Sequence, residues 1–205
     1  MKNSKKKLTV FDQVSAPDKV RKKIIDAASV LYAKKGFADT SIEEISEMAG
    51  VDSLVTGTYV ETKSAIMRMI MEDVLTIFQE NLNTMIKGID DPEEKLSVAA
   101  NIYFKVVDQQ SEKALLIYQK SSSLDKVSKS RVMQLEVNVS NIFAQIISEG
   151  IDLGVFKRVD VDLMAYNILM MAHTWILKRW HFKNRLTHDR YFKLQLETIM
   201  ATLKV

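Results

Sequence analysis

The chain has 205 residues, and only six are Gly and two are Pro, about 4% in place of the roughly 12% of ordinary proteins. So few turn-forming residues exclude a sandwich or barrel of many short strands, and also a collagen-like or Gly/Pro-rich disordered chain. Hydrophobic residues at 47% and charged residues at 27% fit one or two soluble globular domains, while the absence of cysteine excludes disulfides, thiolate metal sites and cysteine nucleophiles.

The net charge of +3 is unevenly placed. Residues 1–23 carry eight Lys and Arg against two Asp, a local +6 that leaves −3 for the rest. A basic arm around Lys5–Lys7 suggests a polyanion nearby; a solvated tail is the bland alternative. The N-terminus lacks the apolar run of a secretory signal. The most apolar stretch, Val161–Leu177, is interrupted by Asp162, Asn167, His173 and Thr174. It is shorter than the ~20 residues needed to span a bilayer, so a buried or subunit-facing helix in a cytoplasmic protein is expected.

Helical periodicity runs through the chain. The first helix is predicted over 18–35, with Val20, Ile24, Ala27, Ala28, Leu31 and Tyr32 on one face, Pro17 before it and Gly36 after it. Phe37 should fold back onto the core. Ser41 and Glu44 form a capping-box pattern for a short helix with Ile42, Ile45 and Met48 as its apolar stripe and Gly50 at its end. A third helix is predicted from Asp52 to Tyr59. Thr62 then caps a long helix from Lys63 to Lys87, with Ile66, Met69, Ile70, Val74, Ile77, Phe78 and Met85 inward.

Asp91-Pro92-Glu93-Glu94 starts a helix to about Gln109. Further helices are predicted over 112–120, after which Ser121–Ser123 is a loose connection, and over 127–149, ended by Gly150 with a turn at 151–156. The last two run from Asp160 to Trp180 and from Thr187 to Leu203. The fold class is therefore all-α, with about nine helices. A break near residue 63 separates short helices from long ones.

Two short helices joined by Gly50-Val51-Asp52 have the layout of a helix-turn-helix, in which the second helix can enter a major groove. The stretch from Ile25 to Val51, with its Ala27-Ala28 helix, Lys35-Gly36-Phe37 turn, Thr40-Ser41-Ile42 and Ala49-Gly50-Val51, resembles the DNA-binding domain of the TetR family of bacterial transcriptional regulators. The resemblance covers about residues 20–66, and Lys63 falls at the family's Ser/Asn-Lys pair. It implies a basic arm and DNA-binding domain over 1–63 and a helical effector-binding and dimerisation domain over 64–205. It also implies a ligand-responsive regulator, by default a repressor released by an apolar or amphipathic molecule.

The expected DNA-contacting residues are Thr40, Ser41, Ser53, Val55, Thr56, Thr58, Tyr59 and Lys63, with Val55 against a thymine methyl. Capping is the alternative role for Thr40 and Ser41. The third helix departs from the family pattern: Leu54, Val55, Gly57 and Val60 stand where the family usually has Gly, Thr, Tyr and Phe. Either operator preference has changed, or DNA binding is weakened or lost in a dimeric ligand-binding or adaptor protein.

For the effector pocket the candidates are Tyr103, Phe104, Tyr118, Phe143, Met170 and His173, each of which could equally be plain core. The helices at 160–180 and 187–203 are expected to form a homodimer interface. The run from Trp175 to Arg185 resembles the subgroup whose effectors are fatty acyl or related CoA thioesters, with Lys178, Arg179, Lys183 and Arg185 as phosphate ligands or as a solvated helix end. No phosphate loop, nucleophile elbow or zinc-binding His-Glu pair is present, so no cofactor, metal or enzymatic activity is expected.

Overall fold

The computed structural model describes residues 16–120, 122 and 124–205, in which ten α-helices occur and no strand. The arm at Lys5–Lys7 lies outside these residues, as do Ser121 and Ser123. The chain divides into two compact units, Met1–Ile66 and Met67–Val205.

The first unit holds α1 (Ala16–Lys35), α2 (Ile42–Ala49), α3 (Ser53–Tyr59) and the opening turn of α4 (Lys63–Met85). Ile24, Ile25, Ala28, Leu31 and Tyr32 of α1 are buried, as are Ile45 of α2, Val60 after α3 and Ile66 of α4. Full burial of a large apolar side chain contributes about 1.5–3 kcal/mol, so this small core holds α1, the two short helices and the start of α4 together. Each element also has local stops. Gly36 and Gly50 adopt φ of 88° and 61°, the left-handed region that ends a helix. Ser41 and Glu44 close the capping box: the Glu44 N–H donates to Ser41 Oγ at 3.1 Å, and the Ser41 N–H to Glu44 Oε2 at 3.0 Å. Phe37 packs on Tyr32 with ring centroids 5.1 Å apart. Met48, expected on the apolar stripe, is instead 48% exposed.

The second unit contains the rest of α4, α5 (Pro92–Gln109), α6 (Ser111–Lys120), α7 (Lys126–Asp152), α8 (Val161–Leu177), α9 (Arg179–Phe182) and α10 (His188–Leu203). Its core is built on α5, α7 and α8, where Phe104, Phe143, Ile147, Ile168 and Leu169 are buried. Ala99, Ala100, Ala165 and Ala172 are buried with them, small side chains that suit close helix approach. Buried polar groups are tied down: the Tyr191 hydroxyl donates to the Met171 carbonyl at 2.7 Å, and the Trp175 indole to Asp108 at 2.7 Å. Met85, expected inward on α4, is exposed.

Two predicted ends move. The α7 helix runs through Gly150 to Asp152, and it is Gly154, with φ 71°, that turns the chain. Gly150 serves packing: a Cβ there would collide with the Phe156 ring. The α8 helix stops at Leu177, three residues before Trp180, and α9 follows as a separate short turn. This split raises the count from nine helices to ten. No helix among the described residues is long and apolar enough to cross a membrane.

Candidate functional site

Two regions carry the expected functional residues, one in each unit. In the first, α2 and α3 are joined by the three-residue turn at Gly50-Val51-Asp52. Asp52 caps α3, its Oδ1 accepting from the Leu54 N–H at 2.8 Å. The exposed side of α3 presents Ser53, Leu54, Val55, Gly57 and Thr58, with Leu54 84% and Val55 41% exposed. Tyr59 is half-buried. Gly57 faces open space, with no atom within 4 Å of where a Cβ would stand.

Three expected contacts are placed otherwise. Thr56 is fully buried, on the inner side of α3, because it lies one residue past Val55 on the 100° helical repeat. Thr40 is also buried, and its Oγ1 donates to the Gly36 carbonyl at 2.8 Å, so it locks the turn after α1. Lys63 points its ammonium at that same turn, donating to Phe37 O and Ala38 O at 2.8 Å each and lying 5.1 Å from the Phe37 ring centroid. An ammonium has three donors, so these two bonds leave one N–H over. Ser41 is half-buried in its capping role, and Thr58 Oγ1 donates to the Val55 carbonyl at 2.7 Å. The Lys35 ammonium beside Glu44, and the Ser41 amide, hold the Glu44 carboxyl below its ordinary value. Leu54, the most exposed apolar side chain of α3, is not among the expected contacts; its amphipathic position is the available signal.

In the second unit a cavity of about 210 Å³ is enclosed by α4, α5, α6, α7 and α8. Its walls are mostly apolar, including Met71, Val74, Phe78, Val106 and Ile117, with Tyr103, Tyr118, His173, Glu136 and Lys129 as the polar members. Of the predicted pocket residues, Tyr103, Tyr118 and His173 therefore come together at the cavity. Phe104, Phe143 and Met170 do not line it. Phe104 is turned toward α10, packing on Phe192 with centroids 5.2 Å apart. Phe143 stands behind the wall, 6.3 Å from Phe78 and 5.8 Å from Tyr103. Met170 is half-buried against the core. Lys178, Arg179, Lys183 and Arg185 are not among the lining residues either; Arg179 reaches Ser111 Oγ at 3.3 Å.

The polar side of the cavity is a hydrogen-bonded chain across three helices. His173 Nε2 lies 2.7 Å from the Tyr103 hydroxyl, and His173 Nδ1 bonds the Tyr118 hydroxyl. Burial lowers the His173 pKa to about 4, so the imidazole is neutral at pH 7, with one N–H donor and one acceptor nitrogen. Burial likewise pushes the Tyr103 and Tyr118 phenols well above their ordinary values. Glu136 is raised by burial against the opposing pull of its hydrogen bond with Tyr166. A wider groove of about 760 Å³ lies open near the α7–α8 turn, edged by Glu149, Asp152, Asp160 and Asp162.

Residues 89–183 match the family model described as Tetracyclin repressor-like, C-terminal domain. The chain is 28% identical over 171 residues to the HTH-type transcriptional regulator HbdR of Aromatoleum sp. (strain CIB), covering 83% of this chain and 75% of that protein. Among solved structures, the TetR family transcriptional regulator PfmR from Thermus thermophilus superposes with a TM-score of 0.72 at 20% identity, covering 89% of this chain and 99% of that one. AibR in complex with isovaleryl coenzyme A and operator DNA superposes with a TM-score of 0.71 at 19% identity, covering 87% and 97%.

Proposed function

Because the chain belongs to the TetR family of transcriptional regulators, which are not enzymes, we propose that it is a ligand-responsive DNA-binding repressor released from its operator by a small effector. The assignment gives DNA binding to residues 1–63, and effector binding and dimerisation to 64–205. The observation that carries it is the α2–turn–α3 unit, whose second helix offers Ser53, Leu54, Val55 and Thr58 on one exposed side. Such a helix fits a major groove, where Leu54 and Val55 suit thymine methyls and the hydroxyls suit base edges or phosphates. Ser41, Tyr59 and the remaining N–H of Lys63 flank it as phosphate contacts, and the Lys5–Lys7 arm adds charge.

The effector reading rests on the cavity. Its apolar walls and its volume of about 210 Å³ suit an acyl or similarly small apolar group better than a coenzyme A nucleotide. A short acyl-CoA, with the acyl group inside and the coenzyme outside near the exposed Lys129, is the form we favour. AibR, with which the chain shares its fold, is solved with isovaleryl coenzyme A. The homodimer is assigned to α8 and α10, since Leu163, Tyr166 and Leu177 form an exposed apolar stripe at helical spacing on α8. The protein acts in the cytoplasm, where its DNA target and acyl-CoA meet.

The test is release. Isovaleryl-CoA and palmitoyl-CoA are titrated into a complex of the full chain with the DNA upstream of its own gene, with free coenzyme A as control. Dissociation by an acyl-CoA, and not by coenzyme A, is expected. A complex untouched by either thioester contradicts the acyl-CoA reading.

A further inference from the structure

The cavity's polar chain defines the chemistry of what it holds, on the reading that this cavity is the effector site. A neutral imidazole accepts one hydrogen bond and donates one. His173 is flanked by two hydroxyls, so one tyrosine donates to the ring and the other accepts from it. The accepting tyrosine keeps its own O–H. Both tyrosines line the cavity, so in either tautomer one O–H donor belongs to a cavity-lining tyrosine with its described bond already made to His173 as acceptor. In a water-filled cavity a water meets that donor. A ligand that displaces the water restores the bond only if it brings an acceptor.

We propose that the cavity takes an uncharged, mainly apolar ligand or ligand moiety that presents one hydrogen-bond-accepting oxygen, carbonyl, ether or hydroxyl, to the Tyr118–His173–Tyr103 chain. The size follows from the volume of about 210 Å³, somewhat above the roughly 150 Å³ of an engineered cavity that accepts benzene. A singly substituted ring or a short branched chain fills it. The tyrosine–histidine chain itself offers no charge to pair with. An anion meets the Glu136 carboxyl on the wall and a His173 that is neutral at pH 7, which leaves the solvent-exposed Lys129 as the one cation among the lining residues. An ammonium has only donors and leaves the tyrosine O–H unmatched, so what draws it in is Glu136, whose carboxyl keeps acceptor positions beside its bond with Tyr166. A charged extension is tolerated only outside, toward Lys129.

Four probes of nearly one shape separate these terms: acetophenone, ethylbenzene, benzoate and 1-phenylethylamine, each titrated into the full chain at pH 7.5. Binding is read by calorimetry and by the ¹⁵N shifts of the His173 imidazole. Acetophenone is expected to bind at least threefold more tightly than ethylbenzene, as one neutral hydrogen bond allows, and at least tenfold more tightly than either charged probe. At saturation the His173 nitrogen shifts should differ between the acetophenone complex, which keeps an acceptor on the tyrosine O–H, and the ethylbenzene complex, which removes it. Val74→Phe, which fills the cavity, should abolish its binding. Equal binding of ethylbenzene, or tightest binding of a charged probe, overturns this inference and leaves the cavity standing as a site. Failure of all four probes to bind the wild type overturns the cavity reading and this inference together.

Discussion

Lys63, the first residue of α4, holds the carbonyl oxygens of Phe37 and Ala38 at 2.8 Å, so a side chain 25 and 26 residues away secures the turn between α1 and α2. Tyr32 reinforces the arrangement through its contact with Phe37. The lysine is thus a strut for the helix pair as well as a charge near the proposed DNA face.

Lys63→Ala removes two charge-assisted hydrogen bonds, each contributing about 1.5–3 kcal/mol at most. Amide hydrogen exchange across residues 36–41 is expected to accelerate at least tenfold, and operator affinity to fall. If the loss is chiefly structural, the slope of log affinity against log salt changes by less than the ~0.9 of one phosphate contact. Exchange mass spectrometry and fluorescence anisotropy measure the two effects.

Gly57→Ala places a methyl in open space on an exposed helix position. The helix gains up to about 1 kcal/mol from propensity alone. Exchange of the α3 amides should slow severalfold, with no loss of overall stability. Faster exchange in the variant would mean that α3 needs glycine at that position.

His173 gives the fold a pH dependence of definite sign. Its native pKa of about 4 lies below the ordinary 6.5, so between those values the unfolded chain binds a proton that the native protein does not. Stability contributed by the neutral imidazole is complete above pH 6.5 and declines as pH falls toward 4, by about 3 kcal/mol for this group alone. Urea unfolding from pH 7 to 4.5 should show a shallower decline in His173→Gln than in wild type.

Asp73 on α4 and Lys113 on α6 form an ion pair at 2.8 Å with both side chains nearly buried, at 12% and 11% exposure. Asp73→Ala is expected to lower stability, because it removes an acid facing a nearly buried ammonium. Adding Lys113→Met should recover much of that loss, since the ammonium no longer has to be desolvated. Denaturant midpoints of the two variants and wild type check this.

Local chemistry is the readable part of the sequence. Ser41 with Glu44, Asp91 with Pro92, and Thr187 before Arg190 mark helix starts within a residue of their observed positions, because a cap acts on backbone groups two or three residues away. Gly150 reads as a terminator by the same logic, yet it sits inside α7 because Phe156 needs its space. That constraint comes from a residue folded back after a turn. The end of α8 at Leu177 is equally hidden, since no Gly or Pro marks it before Trp180.

The candidate sites divide the same way. Tyr103, Tyr118 and His173 stand out as polar or aromatic residues on apolar helices, and they meet at the cavity. Phe104 and Phe143 have the same local signature and face other neighbours, and only packing distinguishes them. Glu136 and Lys129 on α7 look like ordinary solvated charges in sequence; the cavity reveals their place. Thr56 and Thr40 look in sequence like the exposed Ser53 and Thr58, and only their burial sets them apart.

The most direct measurement is a titration of the full chain against a duplex from upstream of its own gene and against a scrambled duplex of equal length, from 50 to 200 mM salt. The account predicts affinity for the upstream duplex at least about 10³-fold above the scrambled one, falling steeply with salt. Equal, weak binding to both duplexes would contradict it and leave the chain as a TetR-like ligand-binding or adaptor protein that no longer reads an operator.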